Sequence, residues 1–244
     1  MKAKNVVLVM SGKGGVGKTT VAVNLGVGLS QKGKRVGLLD ADIHGPNLPG
    51  MLGRNDDKIY STEDKKIVPL QVEPTLFMVS VGFIVDTASS VIWRGPMKHN
   101  VLKQFIEDVE WGDLDYLVVD FPPGTGDECI SAVQLLGSVT GTVIVATPQK
   151  VSVGDSIRSI DFCRQLEVPV AGVIENMSGG IFGGDTLAEV AKEYDVPYLG
   201  KVTMDASVTA SAEKGEPLVK GDGTQAKEMM DIVNKVQAFC EGDE

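Results

Sequence analysis

Two lysines, a threonine and three aspartates carry the chemistry that this chain could do. Lys13, Lys18 and Thr19 stand in Gly12-Lys13-Gly14-Gly15-Val16-Gly17-Lys18-Thr19, which fits the G-x-x-x-x-G-K-[ST] pattern of a phosphate-cradling loop. Four glycines in six positions free the backbone to take positive φ, so that several N–H groups can converge on one anion. Lys18 would then sit on the β- and γ-phosphates of a nucleotide, with the Thr19 hydroxyl on Mg²⁺. The aspartates come as Asp40-Ala41-Asp42 and as Asp120, each at the end of an apolar run. An acid there can hold a metal-bound water while Thr19 binds the ion directly.

These residues need a strand before the loop and a helix after it. Val6-Val7-Leu8-Val9-Met10 reads as the strand. The segment holding Val21, Val23, Leu25, Val27 and Leu29 reads as a helix, whose N-terminal dipole would add to the anion site. Gly33 suits its C-terminal cap, and Val36-Gly37-Leu38-Leu39 is a second buried strand. Residues 53–66 are polar and read as an exposed excursion, with Ile59-Tyr60 and Ile67-Val68 as a short edge hairpin. Leu76 to Val81 is a strand, and a helix opening at Trp93-Arg94-Gly95-Pro96 carries Met97, Val101, Leu102, Phe105, Ile106 and Val109 at helical spacing. His99 falls off that stripe and reads as solvated; His44 lies nearer the loop, but one histidine is weak evidence for chemistry.

Leu114 to Asp120 is a strand, and Phe121-Pro122-Pro123-Gly124-Thr125-Gly126-Asp127 must be a loop over the phosphates. Beyond it strands at 141–147, 168–175 and 198–200 alternate with helices at 153–166, 185–194, 206–214 and 224–240. Alternation of this kind predicts one α/β domain over residues 1–244, a mostly parallel, doubly wound sheet with helices on both faces.

At 43% hydrophobic and 23% charged residues the chain can bury a sizeable core. Its net charge of −10, with no basic run, argues against a nucleic-acid surface. No apolar stretch reaches 18 residues, so no membrane span is expected, and the apolar run after the N-terminus is too short for a signal peptide. Three widely spaced cysteines, Cys129, Cys163 and Cys240, suggest a reducing compartment. Cys163, beside Phe162, reads as a small core hydrophobe and Cys240, in an acidic tail, as a free exposed thiol. Cys129 lies in the helix that starts just after the loop following Asp120. A soluble cytoplasmic protein is expected.

Gly12 to Thr20, with Lys13 inside the glycine run, resembles the deviant Walker A motif of the MinD/ParA superfamily of dimerising ATPases. More narrowly, Leu39-Asp40-Ala41-Asp42-Ile43-His44-Gly45-Pro46, Ile92 to Met97, Asp120 to Asp127 and Glu175-Asn176-Met177-Ser178 resemble the Mrp/ApbC/Nbp family of iron–sulfur cluster carriers. The resemblance covers nearly the whole chain. It implies an Mg²⁺-dependent ATPase, slow and partner-stimulated, acting as a homodimeric nucleotide switch in iron–sulfur cluster carriage or metalloprotein maturation. ATP would be bound by Gly12, Gly14, Gly15, Val16, Gly17, Lys18, Thr19 and Thr20, with Thr19, Asp40 and Asp120 on the Mg²⁺ side. Lys13 matches the lysine that reaches the partner subunit's phosphates across the nucleotide, Asp42 the carboxylate that positions the attacking water, and Asn176 the residue that recognises adenine. A side-chain amide can pair with both a donor and an acceptor on the base edge, which supports that role; the alternative for Asn176 is a turn residue after a strand.

One departure bears on the cargo. Cluster carriers of this family place a Cys-x-x-Cys pair shortly after the Glu-Asn-Met-Ser segment, and here Ser178 runs directly into Gly179-Gly180-Ile181-Phe182-Gly183-Gly184-Asp185. Four thiolates from two such pairs are the ordinary ligation for a cluster, and this chain cannot supply them there. Two other functions stay open at this point. A positioning ATPase of the MinD/ParA type would use a basic amphipathic C-terminal helix on a membrane. The helix at 224–240 has an apolar stripe (Met229, Ile232, Val233, Val236, Phe239), but the chain closes on acids that an anionic bilayer repels. A metabolic kinase or synthetase would need an acceptor pocket, for which the sequence carries no signal.

Overall fold

The apolar runs are buried on both sides, and this forces a layered arrangement. In β1 (Lys2–Met10) Val7 and Val9 enter one core while Val6, Leu8 and Met10 enter another, as the two-residue period of a strand requires. The computed structural model describes residues 2–43, 45–83, 95–179 and 186–242. The expected helix opening at Trp93-Arg94, His44, and the glycine-rich segment from Gly180 to Asp185 lie outside the described residues.

The principal sheet has eight strands in the order β10-β9-β8-β1-β7-β2-β6-β5. These are β2 (Val36–Asp40), β5 (Leu70–Glu73), β6 (Leu76–Ser80), β7 (Asp113–Asp120), β8 (Gly141–Ala146), β9 (Val170–Ser178) and β10 (Tyr198–Thr203), with β1 at the centre. Every neighbouring pair is parallel except β5 with β6. On one face lie α1 (Lys18–Gln31) and α8 (Thr224–Glu241). The other is covered by α3 (Gly95–Glu107), α4 (Asp127–Leu136), α5 (Lys150–Gln165) and α6 (Thr186–Glu193). A doubly wound sheet of this kind presents its ligand sites at the carboxyl ends of its strands, where the order reverses. Here β7 lies between β1 and β2, and Asp120 pairs with Val9 on one side and Asp40 on the other.

The expected hairpin forms as β3 (Tyr60–Ser61) with β4 (Ile67–Val68). Three elements differ from the sequence reading. The antiparallel edge strand β5 was not legible between Pro69 and Pro74, and α2 (Leu48–Met51) folds despite Pro49 and Gly50. Strand β9 runs on through Asn176 to Ser178, so Asn176 sits in a strand opposite Val202 rather than in a turn.

In α8, Met229, Ile232, Val233 and Val236 are buried against the sheet, and the ring of Phe239 rests on Gly141. Cys240 does not stand free in solvent as expected: it is half-buried and packs on the same core. The end of α8 is tied down by Glu241, which accepts from the Tyr116 hydroxyl at 2.8 Å and from Gln237 Nε2 at 3.0 Å and pairs with Lys34 at 2.7 Å. The bond from Lys34, then those from Tyr116 and Gln237, pull the Glu241 carboxyl down to about 2. A carboxyl depressed in the folded state contributes stability above its unfolded value, and loses it as pH falls through the folded value. Glu241→Gln is therefore expected to lower Tm at pH 7, with the gap to wild type closing between about pH 4.5 and pH 2 in calorimetric scans.

Candidate nucleotide-binding site

The loop between β1 and α1 is built by its glycines. Gly15 and Gly17 take φ of 80° and 85°, in the left-handed region that favours glycine, and Gly17 caps the N-terminus of α1. Gly12 is needed for another reason: a Cβ there would lie 2.4 Å from the backbone oxygen of Asp155 in α5. The loop is pinned from above by Gly124, whose N–H donates to Ser11 O at 2.8 Å, and within by Ser11 Oγ donating to Lys13 O at 2.9 Å. Beside it opens a cleft of about 310 Å³, lined by Ser11, Gly14, Gly15, Gly17, Lys18, Thr19, Thr20, Asp42, Asn47, Met51, Pro123 and Met177.

At the floor of the site Lys18, 6% exposed, is paired to Asp120, 1% exposed, with Nζ to Oδ1 at 2.5 Å. Thr19 Oγ1 donates to the other Asp120 oxygen at 2.7 Å, and Asp42 Oδ2 stands 3.9 Å from Lys18 Nζ. Burial raises the Asp120 carboxyl, against the pull of Lys18 and Thr19. Asp40, fully buried, is raised well above its ordinary value by burial and then by the Asp120 charge. Its oxygens are taken by protein donors: Asp42 N at 3.2 Å, Leu48 N at 3.4 Å and the Ser80 hydroxyl at 2.9 Å.

Two carboxyls, Asp42 and Asp120, stand beside the one ammonium of Lys18, a charge balance that suits a divalent cation. Among the described residues no trio of His, Cys, Asp and Glu stands close enough to cage a metal. The Thr19 hydroxyl and the Asp120 carboxyl, 2.7 Å apart, are hard oxygen donors of the kind that Mg²⁺ takes together with waters and phosphate oxygens.

Lys13 and Asn176 take less expected positions. Lys13 leaves its own loop and donates to Gln149 Oε1 at 3.4 Å, at the N-terminus of α5. Asn176, 4% exposed, donates to Val16 O at 2.8 Å and so braces the phosphate loop itself. The next residue, Met177, is the extra residue of a bulge between β9 and β10; it has φ of 56° and lines the cleft. Nothing in the sequence marks Met177, because methionine is not a residue that favours this conformation.

The cysteines are free and lie apart from this site's cleft. Cys129, 1% exposed, donates its thiol to Gly124 O at 3.3 Å, and burial pushes it up to about 12. Burial likewise raises Cys163 to about 11 and Cys240 to about 12. In each case burial disfavours the thiolate.

A glycine loop of converging amides, opening directly into a helix that begins with lysine and threonine, makes this a P-loop NTPase. The profile of the ParA family, described as NUBPL iron-transfer P-loop NTPase, matches residues 2–237, and the chain belongs to that family. It is 41% identical over 252 residues to an iron–sulfur cluster carrier protein of Methanocaldococcus jannaschii, covering 99% of this chain and 87% of that protein. It is 42% identical over 232 residues to the cytosolic Fe-S cluster assembly factor NUBP2 of Mus musculus, covering 89% and 84%. Among solved structures, a nucleotide-binding protein from Archaeoglobus fulgidus in complex with ADP superposes with a TM-score of 0.76 at 30% identity over 87% of each chain. The Aquifex aeolicus MinC:MinD complex gives 0.76 at 22% identity over 96% of each chain, which shows the shared fold.

Proposed function

We propose that this chain is an Mg²⁺-dependent ATPase that works as a dimeric nucleotide switch in iron–sulfur cluster carriage or assembly in the cytoplasm. The observation that carries the reading is the Lys18–Asp120–Thr19 group at the floor of a glycine-walled cleft, in a chain whose relatives bear cluster-carrier and Fe-S assembly names. Asp120 holds both Lys18 and Thr19, the groups that the phosphates and Mg²⁺ would need. Binding of ATP would draw Lys18 onto the phosphates, while the amides of Gly12 to Thr20 take the remaining charge. Thr19 and Asp120 would hold Mg²⁺, which supplies charge neutralisation on the phosphates. Asp42 would orient the attacking water, and Asn176 would meet the base with what its carboxamide has left after the bond to Val16.

The missing Cys-x-x-Cys pair and three cysteines that are buried or half-buried and widely spaced support a reading in which the cluster ligands come from another protein. The switch would then act on a client or partner that bears the ligands, with hydrolysis slow until that partner is present. The test is transfer of a cluster from a loaded donor to an apo iron–sulfur acceptor, with and without MgATP. Faster transfer that needs both this chain and MgATP supports the reading; transfer indifferent to either contradicts it. No observation favours the membrane-positioning alternative. The apolar stripe of α8 is committed to the sheet, and among the described residues no helix is long and apolar enough to cross a membrane.

Lys13, turned towards α5, is free of its own subunit's phosphate floor and would act on the partner's nucleotide. Lys13→Ala and Asp42→Ala proteins are each expected to be inactive. A one-to-one mixture should recover about a quarter of the wild-type rate, since half the dimers are mixed and each carries one complete site. A mixture as inactive as its components would show that Lys13 works within its own subunit.

A further inference from the structure

Asp40 lies at the end of β2 among the metal-side acids, yet the structure shows it serving the chain rather than the cleft. It is fully buried, and its two oxygens receive three protein donors. Two of those donors bracket one segment: Asp42 N at 3.2 Å marks where the loop leaves β2, and Leu48 N at 3.4 Å marks where the chain enters α2. The third, Ser80, ends the neighbouring strand β6 and in turn accepts from Gly82 N at 3.0 Å. Gly82 also lies beside the same loop: a Cβ added to it would stand 3.4 Å from Pro49 Cγ and 3.5 Å from Pro46 Cβ. The segment so held presents Asp42, Asn47 and Met51 to the cleft. A buried carboxylate fully engaged by donors resists displacement, since each donor left behind would be buried without a partner.

We propose that Asp40 is a positioning residue: together with Ser80 it holds the backbone at Asp42 and at Leu48, and so sets where Asp42 stands over the phosphates. The role in hydrolysis rests on Asp42 orienting the attacking water, as proposed above; the hold on the backbone does not. Asp40 acts through Asp42 and leaves magnesium to Thr19 and Asp120.

The test uses the full chain with Ser80→Ala, Ser80→Thr and Asp40→Asn. In nucleotide-free protein, amide exchange of residues 41–51 should quicken about tenfold or more in Ser80→Ala and Asp40→Asn, with β1 and β7 unchanged. In MgATP hydrolysis both variants should lose about tenfold or more in kcat, with KM and the half-saturating Mg²⁺ concentration within about threefold of wild type. Ser80→Thr, which keeps the hydroxyl, should restore both readouts. Unchanged exchange in Ser80→Ala and Asp40→Asn overturns the hold on the backbone. Activity of Asp40→Asn that returns with excess Mg²⁺ also overturns the proposal, since it makes Asp40 a magnesium ligand. A wild-type chain that does not hydrolyse ATP removes the hydrolytic reading, and with it the positioning role, whereas the exchange rates still decide whether Asp40 holds the loop.

Discussion

Replacing Lys18 by methionine is expected to abolish MgATP binding and, separately, to destabilise the nucleotide-free fold. The first effect follows from the loss of the one ammonium aimed at the phosphate site. The second follows from Asp120, which is 1% exposed and has Lys18 as its ion-pair partner at 2.5 Å. Breaking a buried pair from one side leaves an uncompensated charge and costs about 3–5 kcal/mol. For a chain of this size that is roughly 6–20 °C in Tm, at about 2–4 °C per kcal/mol. Adding Asp120→Asn should return most of the lost Tm, because a neutral amide can still meet Thr19, while nucleotide binding stays absent. Calorimetric scans and MgATP titrations of wild type and the single and double variants separate the two effects. A Lys18→Met protein as stable as wild type would show that Asp120 is not compensated by Lys18 in the resting state.

The second large effect is expected at Gly17. Its φ of 85° costs an alanine about 1–2 kcal/mol, and the added Cβ would stand 2.1 Å from Asn176 Nδ2. The collision must dislodge either the N-terminus of α1 or the bond from Asn176 to Val16 O. Gly17→Ala should therefore weaken MgATP binding about a hundredfold or more, equivalent to about 2.7 kcal/mol. Asn176→Ala removes the obstructing amide, so the double variant should bind better than the two single losses combined would give. Independent, additive losses would mean that the strand bearing Asn176 does not brace the loop.

How much was legible in the sequence follows from which interactions are local. The phosphate loop, the acids at strand ends and the βα alternation are short-range patterns, and each maps onto an observed element. The edge strand β5 was lost between two prolines because its pairing with β6 is tertiary. The short helix α2 was lost because Leu48-Pro49-Gly50-Met51 has no helical signal of its own. It folds where Asp40 accepts from Leu48 N, a contact eight residues apart that no local pattern records. The same reason hid the second partner of Asp40, Ser80, which comes from another strand. Asn176 was recognised as part of the site, but its bond to Val16 spans 160 positions and depends on β9 running on past Glu175. The acidic neighbours of Cys240 suggest exposure, whereas the position of α8 turns it onto the core.

The most direct measurement is a calorimetric titration of the wild-type chain and of Lys18→Met with MgATP. Saturable binding of one nucleotide per chain, absent in the variant, is the expected result. No binding with Lys18 intact, or equal binding by both proteins, would contradict the account.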